Sequence, residues 1–251
     1  MNLKKISLAC LVTAIAFGFS NSSVLAVDPN TANTMGKVTF SEDASPTAPL
    51  DPLDPNVDKP IKPTDPDIGS GTAGPLSIDY ISNFHFGNQL ISAEDRTYNV
   101  KLDVIKTADG KNVERAPFVQ VTDKRGSNNG WTLQVRQKTP FLTSGAKELK
   151  GAYLSLMNPV VKTTKDNQAA PPEAEAKKII LTPGKSGSAG DVKTVLTAKR
   201  NTGMATWIES FGNNQSGPSS VQLFVPGISE KIKDATYSAI LTWILVDSPV
   251  N

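Results

Sequence analysis

Side-chain chemistry needs groups of matching type within reach of one another, and this 251-residue chain offers few. Its one histidine, His85, lies between Phe84 and Phe86, and its one cysteine is Cys10. Such a pair cannot furnish the nitrogen and sulfur ligands of a tetrahedral metal site. His85 therefore reads as a structural or surface residue, and no metal or cofactor is expected. Gly184-Lys-Ser186 resembles the end of a phosphate-cradling loop, but the earlier glycine that such a loop requires is replaced by Ile179. More turn residues follow instead of a helix, so the segment reads as a flexible turn. Glycoside hydrolysis would need two carboxylates facing one groove. Asp79, Glu94, Asp95, Asp103, Asp123, Glu209 and Asp247 are available, yet no local spacing pairs any two of them. No catalytic residue is expected.

The aromatic residues are better organised. Gly130-Trp-Thr-Leu-Gln-Val135 and Tyr237-Ser-Ala-Ile-Leu-Thr-Trp-Ile-Leu-Val246 each contain Trp-x-Leu. In extended chain, side chains alternate between faces. Trp131 then shares a face with Leu133 and Val135, and Trp243 shares one with Tyr237, Ala239, Leu241 and Leu245. The second run is also apolar on its other face, through Ile240, Ile244 and Val246, the pattern of a strand covered on both sides. No sorting signal, membrane anchor or wall-attachment peptide is expected after it.

Lys4 and Lys5, an apolar run over residues 6–19 and the small residues of Val24-Leu-Ala26 describe a secretory signal peptide over residues 1–26. Gly18, Ser20 and Asn21 interrupt the run short of the ~20 apolar residues of a membrane span, so no transmembrane segment is expected in the mature chain. Cys10 lies within the leader with most of the apolar run after it, which argues against lipid attachment. The mature chain then has no disulfide, and its core must hold it together.

The whole chain has 26 basic and 24 acidic residues. Residues 27–75 carry eight acidic against three basic side chains, leaving the body from Leu76 onward at about +5. That excess suits solubility first and an anionic wall polymer second. Scattered lysines without interleaved stacking aromatics do not indicate nucleic acid.

Residues 27–75 are expected to form a Pro/Asp-rich extended arm or linker. Each proline fixes φ and lacks an amide proton, which excludes helix and interior strand. The segment is either a polyproline-like spacer or an ordered arm lying over the body. Its Asp-Pro carboxylates read as solvated turn formers, and Lys37-Val-Thr-Phe40 could pair as an edge strand. From residue 76 to 251 the signals are short strands separated by turns. Strands are expected over 77–84, 98–105, 118–122, 131–136, 149–157, 178–181, 192–198, 203–211, 221–225 and 235–246. Residues 162–177, with weak helical character, read as a surface excursion. The pattern predicts an all-β protein, one domain of about 175 residues folded as an antiparallel β-sandwich of immunoglobulin-like or related type.

A secretory leader, Pro49-Leu-Asp-Pro52, Trp131-Thr-Leu133 midway and Leu241-Thr-Trp-Ile-Leu245 near the end together resemble the WxL-domain surface proteins of low-GC Gram-positive bacteria. The resemblance spans essentially the whole mature chain. It implies a secreted, extracellular protein without enzymatic activity, held non-covalently at the cell surface. The implied partners are peptidoglycan or another cell-wall polymer, a membrane-anchored WxL-interacting surface protein and other WxL proteins. It places Trp131, Leu133, Trp243 and Leu245 at the signature positions. Trp207-Ile-Glu209 departs from the pattern, because Glu209 stands where leucine would. A wall-active or carbohydrate-processing enzyme and an adhesin for host protein are the alternative readings.

The two tryptophans could be exposed contacts or core. Burying about 200 Å² of indole at about 25 cal/mol per Å² contributes about 5 kcal/mol, and the apolar neighbours on each face favour the core. That expectation is clearest for Trp243. Trp131, at the strand's mouth after the 125–130 turn, is the better candidate for a partly exposed contact.

Overall fold

The computed structural model describes residues 31–249. The expected leader at residues 1–26 lies outside them. The described residues fall into two units that divide between Thr39 and Phe40. Residues 31–39 are exposed and carry no secondary structure. Lys37-Val-Thr-Phe40 forms no strand: the run is exposed throughout, and a strand without a ladder partner has nothing to hold it extended.

The second unit is built from short strands: β1 (Lys62–Pro63), β2 (Leu76–Ile81), β3 (Arg96–Asn99), β4 (Asp103–Lys106), β5 (Asn112–Arg115), β6 (Phe118–Asp123), β7 (Trp131–Gln137), β8 (Tyr153–Leu156), β9 (Pro159–Thr163), β10 (Glu173–Ala174), β11 (Ile179–Leu181), β12 (Lys193–Ala198), β13 (Ala205–Phe211), β14 (Val221–Val225) and β15 (Leu241–Val246). Every strand pairing is antiparallel. The all-β antiparallel expectation therefore holds. Residues 159–163 and 173–174, within and beside the segment read as an excursion, are strands.

The ladders divide the strands into four small sheets, ordered β1-β4-β5, β10-β12-β7-β15, β11-β8-β14-β3 and β2-β6-β13-β9, where two large facing sheets were expected. The cause is visible at residues 98–105. Instead of one strand, the chain breaks after Asn99, where buried Val100 donates its N–H to Val221, and resumes as β4 in a different sheet.

Three of the sheets surround one core. Val119, Val121, Trp207 and Phe211 come from the β2-β6-β13-β9 sheet, Leu154, Leu156, Val221 and Leu223 from β8 and β14, and Trp131, Leu133, Val135 and Leu196 from β7 and β12. Alternation sends Phe118 and Ile208 to the opposite face of their sheet, where they meet Leu50, Ile61, Tyr80 and Ile105 in a second core. Covered on both faces, β6 is buried at all six positions.

That second core explains the fate of the Pro/Asp-rich segment. Within it, Leu50 and Ile61 pack into this second core and Lys62–Pro63 pairs with β4. Leu50, 2 % exposed, is its hydrophobic anchor. Prolines leave few donors for a ladder, so side chains of the body satisfy the arm instead. Gln120 Oε1 accepts from Leu50 N (2.8 Å), Gln120 Nε2 donates to Ala48 O (3.0 Å), and Lys162 Nζ donates to Leu53 O (2.8 Å). Arg115 clasps Asp51 through two 2.6 Å hydrogen bonds, so this Asp-Pro carboxylate is an ion-paired fastener and not a solvated one.

Candidate functional site

The two Trp-x-Leu segments lie on adjacent strands. In the β15–β7 ladder Leu245 stands opposite Leu133 and Trp243 opposite Val135. On its other side, Leu133 faces Leu196 of β12. Leu133 is thus flanked by leucines from both neighbouring strands and is fully buried.

The tryptophans differ in exposure, in the reverse of the expected order. Trp131 is 0 % exposed, and its Nε1 donates to Gly203 O at 3.0 Å. Gly203, at φ +73°, is required there: a Cβ would meet Ala198 Cβ at 2.4 Å and Trp131 Nε1 at 2.9 Å. Trp243 is only half-buried, packing against the main core with its ring centroid 6.4 Å from that of Phe211. The reason is lateral position. β7 has a strand on each side, whereas β15 closes the sheet as its edge. Ile240, Ile244 and Val246, expected to be covered, share that exposure: Ile240 is 55 % exposed, and every residue of β15 is half-buried.

Trp243 lines two adjoining concavities. One is a groove of about 1220 Å³, to which Phe84, Phe86, Tyr98, Phe141 and Tyr237 also contribute, with Asn83, Gln89 and Lys231 supplying polar groups. The other is a crevice of about 700 Å³ between residues 72–76 and Trp243, Leu245, Val246 and Asp247. Aromatic faces with interspersed amides suit stacking on sugar rings or gripping an apolar peptide.

The acidic residues are dispersed. Asp79 accepts from Ser77, Gln120 and Thr122, Asp123 is paired with Arg125, Glu94 with Arg96, and Asp95 accepts from Gly227 N. Of the seven acids considered for hydrolysis, Asp247 alone lines either concavity. Asp103 is half-buried beside Tyr80 and Ser82. Burial pushes its carboxyl up to about 6, although hydrogen bonds from Ser82 and Tyr80 oppose the shift. His85 is exposed, with Nε2 2.8 Å from Asp65 Oδ2, which also accepts from Asn83. Burial raises Asp65, but the hydrogen bonds from His85, the Asp67 amide and Asn83 outweigh it and hold the carboxyl below its ordinary value. These contacts tie the arm to the loop that forms one wall of the groove. Among the described residues no cluster of histidine, cysteine, aspartate or glutamate could hold a metal ion.

Trp207 is buried, its Nε1 bonded to Met204 O at 2.8 Å. Two residues on, Glu209 shares its face, opposite Val119 and Val161. It is 1 % exposed, Oε2 has no partner, and burial raises its pKa well above the ordinary value. The sequence signal for this burial is an acid that alternates in register with Trp207 and Phe211.

The family model described as "WxL domain surface cell wall-binding" matches residues 27–249. No curated protein and no solved structure matches the chain.

Proposed function

The chain belongs to the WxL family of surface, cell wall-binding domains, and from that membership we propose a secreted, non-enzymatic module that uses the aromatic groove beside Trp243 to hold the bacterial cell wall. The observation that carries this reading is the position of Trp243: it is half-buried in the second Trp-x-Leu segment, on the wall of both concavities. Tyr98, Tyr237 and Trp243 offer ring faces for stacking, and Asn83 and Gln89 offer amides for sugar hydroxyls. Peptidoglycan is the wall polymer that this combination suits. The body's positive balance adds attraction for anionic polymers. Retention is non-covalent, and membrane-anchored WxL-interacting surface proteins and other WxL proteins are further partners.

The test is a pulldown of the chain from Val27 onward with purified peptidoglycan sacculi, run beside the extracellular region of a WxL-interacting protein. Retention on sacculi, reduced by Trp243→Ala, is expected. Retention on neither would overturn the reading.

A further inference from the structure

We propose that the open edge of β15 is a strand-addition site, which takes an extended, uncharged segment of a partner polypeptide as a fifth strand of the β10-β12-β7-β15 sheet. It builds on the surface-associated reading above and has its own test. Lys138 N donates to Ile240 O at 2.7 Å. In an antiparallel ladder bonded and non-bonded pairs alternate, so Thr242, Ile244 and Val246 exchange hydrogen bonds with β7. The N–H and C=O groups of Leu241, Trp243 and Leu245 therefore point the other way. Among the described residues β15 has no second strand neighbour, and none of these six groups has a backbone or side-chain partner.

An unguarded edge is unusual, because it invites pairing with another chain. The other edges of the four-stranded sheets are short, charged or capped. β10 has two residues, and β11 has three, preceded by Lys177 and Lys178. β9 begins on Pro159 and carries Lys162, and β3 begins on Arg96. The edge of β2 is capped by Thr72, whose N–H donates to Ile78 O at 2.8 Å and whose hydroxyl accepts from Ile78 N at 2.9 Å. β15 has six residues with no proline or charge, and residues 235–246 hold no acidic, basic or histidine side chain.

The surroundings define the occupant. The edge opens into the crevice of about 700 Å³ whose far wall is residues 72–76, which suits one extended chain better than a second copy bringing a whole sheet. Donors and acceptors recurring every second residue, about 7 Å apart, match a polypeptide backbone and not a glycan. Absence of charge along the edge selects an uncharged segment. Side chains of its core-facing side would meet Trp243 and Leu245. Backbone pairing supplies affinity in this mode, and side-chain pockets supply selection.

Amide exchange of the chain from Val27 onward tests this directly. The probe is a blocked synthetic peptide of alternating valine and threonine with a lysine at each end. Its control carries proline in place of each threonine. In the free chain the amides of Leu241, Trp243 and Leu245 should exchange fast, while those of Thr242, Ile244 and Val246 are protected. The probe should slow the first set by about tenfold or more, and the control should not. Leu241→Pro removes one outward donor at the first residue of an edge strand without touching the β7 ladder. It should weaken probe binding about tenfold, and because Leu241 also packs against the core its melting is read in parallel to confirm that the variant is folded. Thr242→Lys, on the face away from the core, should weaken probe binding as an edge guard with little change in melting. Protection of the outward amides in the free chain, or no effect of the probe at about 1 mM, would overturn the proposal. Protection that grows with protein concentration would assign the edge to a second copy, and protection by sacculi alone would assign it to glycan. Either result would also overturn it. Sacculus retention is scored separately, so failure of wall binding and failure of strand addition can be told apart.

Discussion

Leu133 and Leu245 face each other directly across the β7–β15 ladder, so the two Trp-x-Leu segments meet leucine to leucine, with their tryptophans displaced to opposite ends of the pair. Because the strands run antiparallel, Trp131 and Trp243 cannot stack on each other in this register. One is sealed beneath Gly203, and the other is left at the sheet's edge. One motif therefore serves the core and the other joins core to surface.

That division predicts unequal responses to truncation. Trp131→Ala should cost about 3 to 5 kcal/mol, the range for emptying a large buried site. It should lower Tm strongly and reduce wall retention only through unfolding. Trp243→Ala should cost less, since the ring is only partly buried at the sheet's edge, yet reduce sacculus retention in protein that remains folded. Thermal denaturation read beside the pulldown separates the two effects. Equal losses of Tm would contradict the assignment.

Gly203→Ala should reproduce much of the Trp131 defect without touching the indole. The added Cβ would collide with Ala198 and the Trp131 ring at a backbone of φ +73°, and such strain costs about 1 to 3 kcal/mol. A lower Tm with a shifted tryptophan emission maximum is the expected outcome.

Glu209 should make the fold less stable as pH rises. Its folded pKa is raised above the ordinary 4.5 by burial. Its contribution is thus fully present below pH 4.5 and is lost as pH climbs toward the folded value. Asp103, raised from 3.8 to about 6, adds a change of the same sign over that window. Glu209→Leu removes an unpartnered buried carboxyl. It should raise stability by about 1 to 3 kcal/mol at pH 7 and flatten the dependence of Tm on pH between 4 and 8. A lower Tm for Glu209→Leu at pH 7 would show that the carboxyl has a partner.

Arg115→Ala should release the arm. Burial works against ionisation of Asp51, but the Arg115 hydrogen bonds and charge outweigh it and lower the carboxyl's pKa. This contribution is present at neutral pH and lost as pH falls below the ordinary 3.8. Losing two charge-assisted bonds should cost about 2 kcal/mol and expose residues 48–60 to limited proteolysis while the strands stay protected. Unchanged cleavage would mean that Leu50 and Gln120 hold the arm by themselves.

Much of this protein was legible because strand periodicity is local. Alternation placed Leu241, Trp243 and Leu245 on the core face and Thr242, Ile244 and Val246 on the other. Clusters of glycine, proline and asparagine marked most turns, and two motifs in order pointed to the family. Strand order is not local. Nothing within residues 237–246 distinguishes an edge strand from a central one, so the apolar outer face of Ile240, Ile244 and Val246 suggested a covered strand.

The arm shows the same boundary. Its prolines excluded helix and interior strand from sequence alone. Whether it stayed free depended on Gln120, Arg115 and Lys162, distant in the chain and suited to the carbonyls and carboxylate that proline-rich backbone leaves unsatisfied.

By itself, then, the sequence determined the all-β class, the face each motif residue occupies and the family, since all three follow from residue type and spacing of two. Tertiary structure alone decided which tryptophan is sealed, where the open edge lies and that Glu209 is buried without a partner. Burial depends on which strands come to lie on either side, and those neighbours are set by packing between segments far apart in the chain.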